Sequence, residues 1–204
     1  MLQILTLVTL LVTFIPGPIS SGPADPKTIS IAEARSLPLG TIVTIDGVVT
    51  VPSGAFSSST FDQGFAIQDR TGGIYVSVPD NLGFTLRQQV RVVDVTDVKA
   101  HGSGPKVQPL PVATGDVGED TEGQLVTITG TITQPVINDL PFGFIIFIND
   151  GSGEVHAFVC ASTGIDVSGL SPGQTIEVTG FSGQFADDFE VDPRTQSDIR
   201  IVNN

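Results

Sequence analysis

The chain has 204 residues, of which 40% are hydrophobic and only 15% charged, and it contains 23 Gly and 14 Pro. This composition is typical of a β-rich protein with many turns and excludes a helical bundle. The formal net charge is −13, from 22 acidic and 9 basic residues, which argues against tight general binding of DNA or RNA, because such binding needs a basic surface.

The N-terminal residues 1–22 are predicted to be a signal peptide or an N-terminal anchor. An apolar run extends from Leu2 to Ile15, which is shorter than the about 20 residues of a membrane span and fits the hydrophobic region of a secretory signal. Small residues at Ser20-Ser21-Gly22 offer a cleavage site. No Lys or Arg precedes the run, so an uncleaved anchor and a buried strand remain alternatives. Export predicts a secreted or periplasmic protein that contacts a membrane only through this segment.

Residues 23–35 are predicted to form a linker and a short helix. Ser30 and Glu33 have the spacing of a capping box, in which the Ser side chain caps the backbone at the helix start and the Glu side chain reaches back. The helix is expected from Ile31 to about Ser36, because Leu37-Pro38 disfavours helical backbone.

The remaining sequence is predicted to hold two copies of one β-rich unit, at an interval of roughly 80 residues. The first strand of the first copy, Thr41–Val51, is rich in β-branched residues and contains Gly47. The matching strand of the second copy, Leu125–Thr133, has Gly130 at the same place. A glycine inside a strand indicates a bulge or a sharp bend, which small closed barrels need.

A strand–turn–strand hairpin follows in each copy, at Phe65–Val78 and at Ile146–Val159. Its turns, Asp69–Gly73 and Asp150–Gly153, supply the Asp and Gly residues that tolerate positive φ. The second turn superficially resembles a calcium loop. The full calcium-binding pattern is absent, however, and a hairpin turn explains every residue.

Two more short strands are expected in each copy after the hairpin. Five short strands per copy predict an all-β chain of two tandem five-stranded OB-fold Greek-key barrels, at residues 36–115 and 116–204. Two small β-sandwiches are the alternative, and the bent first strands favour the OB-fold. The fourth and fifth strands are predicted at Gln89–Val95 and Lys106–Pro109 in the first copy, and at Gln174–Gly180 and Glu190–Pro193 in the second.

The segment Ile31–Thr50, followed by Phe65–Val76, resembles the OB-fold modules of bacterial extracellular nucleases. In the second copy, Leu170–Gly180 and Val191–Arg194 match the later half of the same pattern. In those nucleases the chemistry lies in a separate catalytic domain, and nothing in this chain resembles that domain. The resemblance therefore implies the fold and makes nucleic acid the first candidate ligand, without implying catalytic activity.

Alternate side chains of the third strand in each copy are expected to face outward. Tyr75 and His156 occupy the same position in the two copies, and Phe158 follows on the face of His156. OB-folds bind oligonucleotides or oligosaccharides on strands two and three, where rings can stack on unpaired bases. The alternative is that these rings pack against a loop or the other unit. Phe56 and Phe61, in the loop before the hairpin, are expected either to clamp a ligand or to plug the barrel end.

No catalytic residue, metal site or cofactor is predicted. His101 and His156 fall in different units, and the sequence has no nucleophile elbow, phosphate loop or paired metal motif. The lone cysteine, Cys160, excludes an intramolecular disulfide and a cysteine-rich zinc site. The acidic residues from Asp187 to Asp192 are interpreted as part of a solvated loop that could attract a cation.

The sequence thus predicts a secreted, non-catalytic tandem OB-fold protein with at most weak binding of single-stranded nucleic acid that needs divalent cations. A protein- or glycan-interaction module at the cell surface is one alternative. A periplasmic protein that binds a small molecule or a cation is the other.

Overall fold

The computed structural model describes residues 27–56, 62–94 and 97–202, which form two β-sheets in tandem. The predicted signal or anchor segment and Phe61 lie outside these residues. No helix in the described part of the chain is long and apolar enough to cross a membrane.

The first unit begins with a short strand, β1 (Thr28–Ile29), and one helix, α1 (Ile31–Arg35). The Ser30 side chain caps α1 by accepting a hydrogen bond of 3.2 Å from the Glu33 backbone N–H, which is the Ser half of the predicted capping box. The sheet has the order β4-β3-β2-β5-β6, with β1 beside β2. Its main strands are β2 (Thr44–Val51), β3 (Phe65–Gln68), β4 (Gly73–Val76), β5 (Gln88–Asp94) and β6 (Asp97–Ser103).

The fifth strand of the first unit differs from the prediction. The segment Lys106–Pro109 is not a strand, and β6 is formed instead by Asp97–Ser103, antiparallel to β5. The prediction failed because β6 is a largely exposed edge strand, and its polar residues give no alternating apolar pattern.

The strands of the second unit close into a barrel. β8 pairs with β10 and β12, β10 pairs with β11, and β13 pairs with both β12 and, in parallel, β11. This ring of five strands is the OB-fold arrangement, so the all-β OB-fold prediction is confirmed. The strands are β7 (Leu110–Pro111), β8 (Leu125–Ile132), β9 (Ile137–Asp139), β10 (Gly143–Asn149), β11 (Glu154–Cys160), β12 (Thr175–Phe185), β13 (Asp188–Asp192) and β14 (Ile199–Ile201).

Each long first strand changes its pairing partner beside its central glycine. β2 pairs with β5 up to Val48 and with β3 from Val48 onward. β8 likewise pairs with β12 up to Thr131 and with β10 from Thr131. A Cβ atom at Gly47 or Gly130 would lie 2.9 Å from an atom of the crossing strand. Glycine therefore permits the close crossing at which the sheet folds over.

The two units have separate hydrophobic cores and a small shared cluster. Buried residues of the first core include Phe65 and Ile67, and those of the second include Ile128 and Ile146. The shared cluster brings Val51 and Ala66 of the first unit against Phe181 of the second, with Ala55, Phe56 and Tyr75 packed around them. The units therefore bury apolar surface against each other.

Polar contacts also join the units. The backbones of Gly73 and Gly123 approach so closely that a Cβ on Gly73 would lie 1.8 Å from the Gly123 carbonyl oxygen. Arg35 spans this contact, donating to the Gly73 carbonyl at 3.2 Å and to Glu122 Oε2 at 2.8 Å. The predicted boundary between residues 115 and 116 stays a prediction. Further bonds join Leu125 N to Gln68 Oε1, Ser162 Oγ to the Ala55 carbonyl and Arg194 Nη1 to the Thr50 carbonyl.

Candidate functional site

The outward face of the second unit carries two rows of side chains that run across its strands. Residues directly opposite each other on paired strands share a face of the sheet. The rows lie side by side, because their members on β10 and on β11 are two residues apart. The apolar row is Ile137, Ile145 and Phe158, and the histidine row is Phe147, His156 and Glu190.

The apolar row leads to an exposed hairpin. Ile137 on β9 is 42% exposed, whereas Ile145 and Phe158 are half-buried. The β9–β10 turn carries two further exposed apolar side chains, Leu140 at 55% and Phe142 at 51%. Exposed apolar side chains that lie together can form a contact surface for another molecule. The strand β9 was not predicted, because its three residues are too few to show a strand pattern.

The histidine row is held by a hydrogen bond. His156 Nε2 lies 2.9 Å from Glu190 Oε2, and both side chains are largely buried. The ring of Phe147 lies 5.8 Å from the imidazole, at an interplanar angle of 51°. The parallel pairing of β11 with β13 brings Glu190 beside His156. The imidazole therefore has a fixed orientation between a carboxylate and an aromatic ring.

A cleft of about 250 Å³ opens beside the histidine row. The side chains of Phe147, His156 and Phe189 form its aromatic walls. Phe189 also packs against the barrel core. The cleft is completed by Thr114, Gly115, Val117 and Val155 and by the carboxylates of Glu154, Asp187 and Asp188.

The acidic residues of the last loop and strand have two different environments. Asp187 and Asp188 are exposed, as expected of a solvated loop. Asp192 is only 8% exposed and its Oδ1 atom has no hydrogen-bond partner, which corrects the interpretation of this whole stretch as solvated. Burial, then the nearby charges of Glu190 and Cys160, raise the pKa of Asp192 well above its usual value.

Tyr75 and Phe56 lie between the two units. Their rings are 6.2 Å and 6.4 Å from the ring of Phe181 in the second unit. The Tyr75 hydroxyl donates to Asp62 Oδ1 at 2.7 Å, and burial, followed by this carboxylate, raises the pKa of Tyr75. Of the predicted face residues, only His156 and Phe158 share a face on one unit. Phe56 packs in the shared cluster, and Phe61 is not described.

A second cleft, of about 350 Å³, lies between the units beside Tyr75 and Phe181. Its basic side chain, Arg35, is already held at 2.8 Å by Glu122. This cleft therefore lies at the interface of the two units, and its basic side chain is already paired with a carboxylate.

The structure also separates the two histidines. His101 Nε2 lies 3.2 Å from Asp46 Oδ1 in the first unit, whereas His156 lies in the second. Arg91 Nη2 donates a hydrogen bond of 2.9 Å to Asp46 Oδ2. This hydrogen bond lowers the pKa of the Asp46 carboxyl, although burial acts in the opposite direction. No group of three or more His, Cys, Asp or Glu side chains among the described residues could hold a metal ion.

No protein-family model and no curated protein matches this chain. Among solved structures, it is similar to the OB domain (residues 67–166) of MM0293 from Methanosarcina mazei, with 16% identity, a TM-score of 0.41, and coverage of 48% of this chain and 88% of that one. It is similar to the hypothetical protein ygiW from E. coli, with 20% identity, a TM-score of 0.35, and coverage of 51% and 100%. A murine DNA binding protein bound with double-stranded DNA is similar at 12% identity, a TM-score of 0.42, and coverage of 79% and 96%. No function is carried over from these likenesses, and the likeness to nuclease modules stays a resemblance of sequence.

Proposed function

We propose that the protein is a non-catalytic tandem OB-fold binding protein whose second unit holds a single strand of nucleic acid on the outward face of β10 and β11. The observation that carries this proposal is the pair of adjacent rows, which place the rings of Phe147, His156 and Phe158 on one face. Aromatic rings on such a face can stack on unpaired bases of any sequence.

The charge of the protein limits the strength of this binding. The net charge is −13, and phosphate contacts by Lys and Arg supply much of the affinity for nucleic acid. Several basic side chains are already paired with carboxylates of the chain itself. Weak binding that needs divalent cations follows, because a cation can bridge a phosphate and a carboxylate. The paired basic residues include Arg35, Arg91, Lys99, Arg194 and Arg200.

Fluorescence anisotropy with a labelled oligo-dT tests the proposal on the full chain, with Mg²⁺ and with EDTA. We expect weak, saturable binding in Mg²⁺ that disappears in EDTA. Phe158→Ala removes a stacking ring. The loss of one such ring typically costs about 1–3 kcal/mol of binding free energy per stacked base. Tight binding in EDTA would contradict the need for a divalent cation.

A matched pair of variants shows whether binding depends on this face or on any exposed apolar side chain. Ile137 on β9 and Ile201 on β14 are 42% and 43% exposed, but only Ile137 belongs to the apolar row. We expect Ile137→Ala to weaken binding and Ile201→Ala to leave it unchanged. No oligonucleotide binding in either buffer overturns the proposal and favours a protein or glycan ligand.

The proposed location of the protein is outside the cytoplasm, either secreted or periplasmic. The apolar run Leu2–Ile15 supports this location by its length and by the small residues that follow it. Expression of the full chain in a bacterium, with the mass of the mature protein measured, tests the point. Removal of about the first 22 residues supports export, and an intact cytoplasmic chain contradicts it.

A further inference from the structure

The cleft beside the histidine row combines aromatic walls with acidic edges. Its rings belong to Phe147, His156 and Phe189, and its carboxylates belong to Glu154, Asp187 and Asp188. None of the described residues that line it is Lys or Arg. An organic cation is the ligand class that matches both features, because an ammonium or guanidinium group is attracted by ring faces and by carboxylates.

The aromatic walls are held in place by contacts of their own. The Phe147 ring lies 5.8 Å from His156, and the His156 imidazole is fixed by Glu190 at 2.9 Å. Phe189 packs against the barrel core. Rigid walls lower the entropic cost of binding, because few side chains must be ordered when the ligand enters.

The carboxylates at the cleft favour a positive ligand over other classes. Asp187 and Asp188 are exposed neighbours, and Glu154 Oε2 accepts a hydrogen bond of 2.6 Å from Thr133. This set repels phosphates and carboxylic acids. A bare metal ion fits less well, since hard cations need a cage of oxygen ligands and three rings line this site.

We propose that this cleft binds a primary ammonium or guanidinium group. The group could come from a Lys or Arg side chain of a peptide or from a free diamine, which present the same chemistry. The volume of about 250 Å³ fits the end of one such chain and is small beside the roughly 300–1,000 Å³ of drug-sized sites. The inference does not rest on nucleic-acid binding, although the rings of Phe147 and His156 belong to both proposed sites.

Calorimetric titration of the full chain distinguishes the two sources. The probes are a short peptide with one lysine, the same peptide with its lysine acetylated, and 1,4-diaminobutane. Saturable binding of the lysine peptide alone assigns the site to a peptide side chain, and tighter binding of the diamine assigns it to a free amine. Equal binding of the acetylated peptide, or no binding of any probe, overturns the proposal.

Charge-matched variants show whether the cleft, and not the net charge of the protein, binds the amine. We expect the double variant Asp187→Asn with Asp188→Asn to weaken amine binding about tenfold, and Phe189→Leu to weaken it about fivefold while keeping an apolar side chain in the core. The control is Asp80→Asn with Asp120→Asn, which removes the same charge at exposed positions outside the cleft. Equal weakening by both double variants would mean that net charge alone attracts the amine and would overturn the site.

The two proposals fail separately. A protein that binds amines and no oligonucleotide contradicts the proposed function alone. A protein that binds oligonucleotide and no amine contradicts only the cation cleft. Thermal unfolding of each variant confirms that a lost signal is not caused by lost folding.

Discussion

Asp69 and Asp150 occupy equivalent positions in the two hairpin turns, and each binds the segment that precedes the first long strand of its own unit. Asp69 Oδ2 accepts the Ile31 backbone N–H at 3.0 Å, and Asp150 Oδ2 accepts the Thr114 backbone N–H at 3.1 Å. Each carboxylate also accepts backbone and hydroxyl bonds within its own turn, from Thr71 or from Ser152. The duplicated turn is therefore both a reversal of the chain and an attachment point for a distant segment.

Removal of the Asp69 carboxylate should loosen α1. Asp69→Ala deletes the acceptor for Ile31, whose side chain is fully buried in the first core, and removes the bonds that the carboxylate accepts from Thr71 and Gly72. We expect a loss of about 1–2 kcal/mol in the free energy of unfolding, as for a lost helix cap or a charged hydrogen bond. Urea unfolding followed by circular dichroism measures it, with the exposed Asp80→Ala as control. Equal stability of the two variants would contradict the role of Asp69.

The Asp69 carboxylate should also make stability depend on acidic pH. Burial raises its pKa, but hydrogen bonds from Thr71, Ile31 and Gly72 outweigh this and lower it below the usual 3.8. Ionised Asp69 therefore contributes stability that is present above its unfolded pKa and is lost as the pH falls through its lower folded pKa. Urea midpoints measured from about pH 5 to pH 2 should fall less steeply for Asp69→Asn than for the unmodified protein. Parallel curves would argue against the ionised contact.

Asp192 should give a pH dependence of the opposite sign. Its pKa is raised in the folded state, chiefly by burial, so the folded protein holds this proton at a pH where the unfolded chain has released it. The stability linked to that proton is fully present below the unfolded pKa and is lost as the pH rises toward the folded pKa. We expect Asp192→Asn to be more stable than the unmodified protein at neutral pH. The difference should shrink toward about pH 4.

Thermal unfolding of both proteins across this pH range measures the effect. The variant Asp187→Asn is a matched control, because Asp187 lies in the same region but is exposed. A constant difference between Asp192→Asn and the unmodified protein at every pH would mean that the carboxyl does not change its protonation on folding.

The sequence predicted features that depend on a local residue pattern. It did not predict contacts between residues that come together only when the sheets close. Gly47 and Gly130 were predictable as bends, because a glycine interrupts a β-branched run at the same place in both copies. The bond from Ile31 to Asp69 spans 38 residues, and the turn alone gives no sign of it. The contact of His156 with Glu190 depends on the parallel pairing of β11 with β13, which no local pattern specifies.

One pair of residues on the candidate face also shows that a local sequence pattern does not predict long-range packing. Tyr75 and His156 hold the same position in the two copies, so the sequence predicts the same role for both. Tyr75 instead packs near Phe181 of the other unit, beside the cleft between the units, whereas His156 lies on the outward face of the second unit, beside the smaller cleft. The difference arises from how one unit packs on the other. The outward position of Phe147, by contrast, was predictable from the alternation of β10.

Gly73 and Gly123 approach each other closely at the interface between the units. A single substitution, Gly73→Ala, therefore tests how much the units depend on this contact. In Gly73→Ala the new Cβ would lie 1.8 Å from the Gly123 carbonyl oxygen, so the backbones must separate and the bonds of Arg35 to Gly73 and Glu122 must stretch. Overpacking of this kind typically costs about 1–3 kcal/mol. We expect Gly73→Ala to lower the unfolding temperature and to expose the segment between the units to protease.

Gly118→Ala is the matched control, because an added Cβ at Gly118 meets no atom within 4 Å. It should leave the protease pattern unchanged and should not lower the unfolding temperature, since its backbone needs no positive φ and a Gly→Ala change without strain does not destabilise. If Gly73→Ala behaves like Gly118→Ala in both measurements, the units do not depend on this contact. In that case Phe181→Ala tests whether the apolar cluster around Phe181 holds the units together instead.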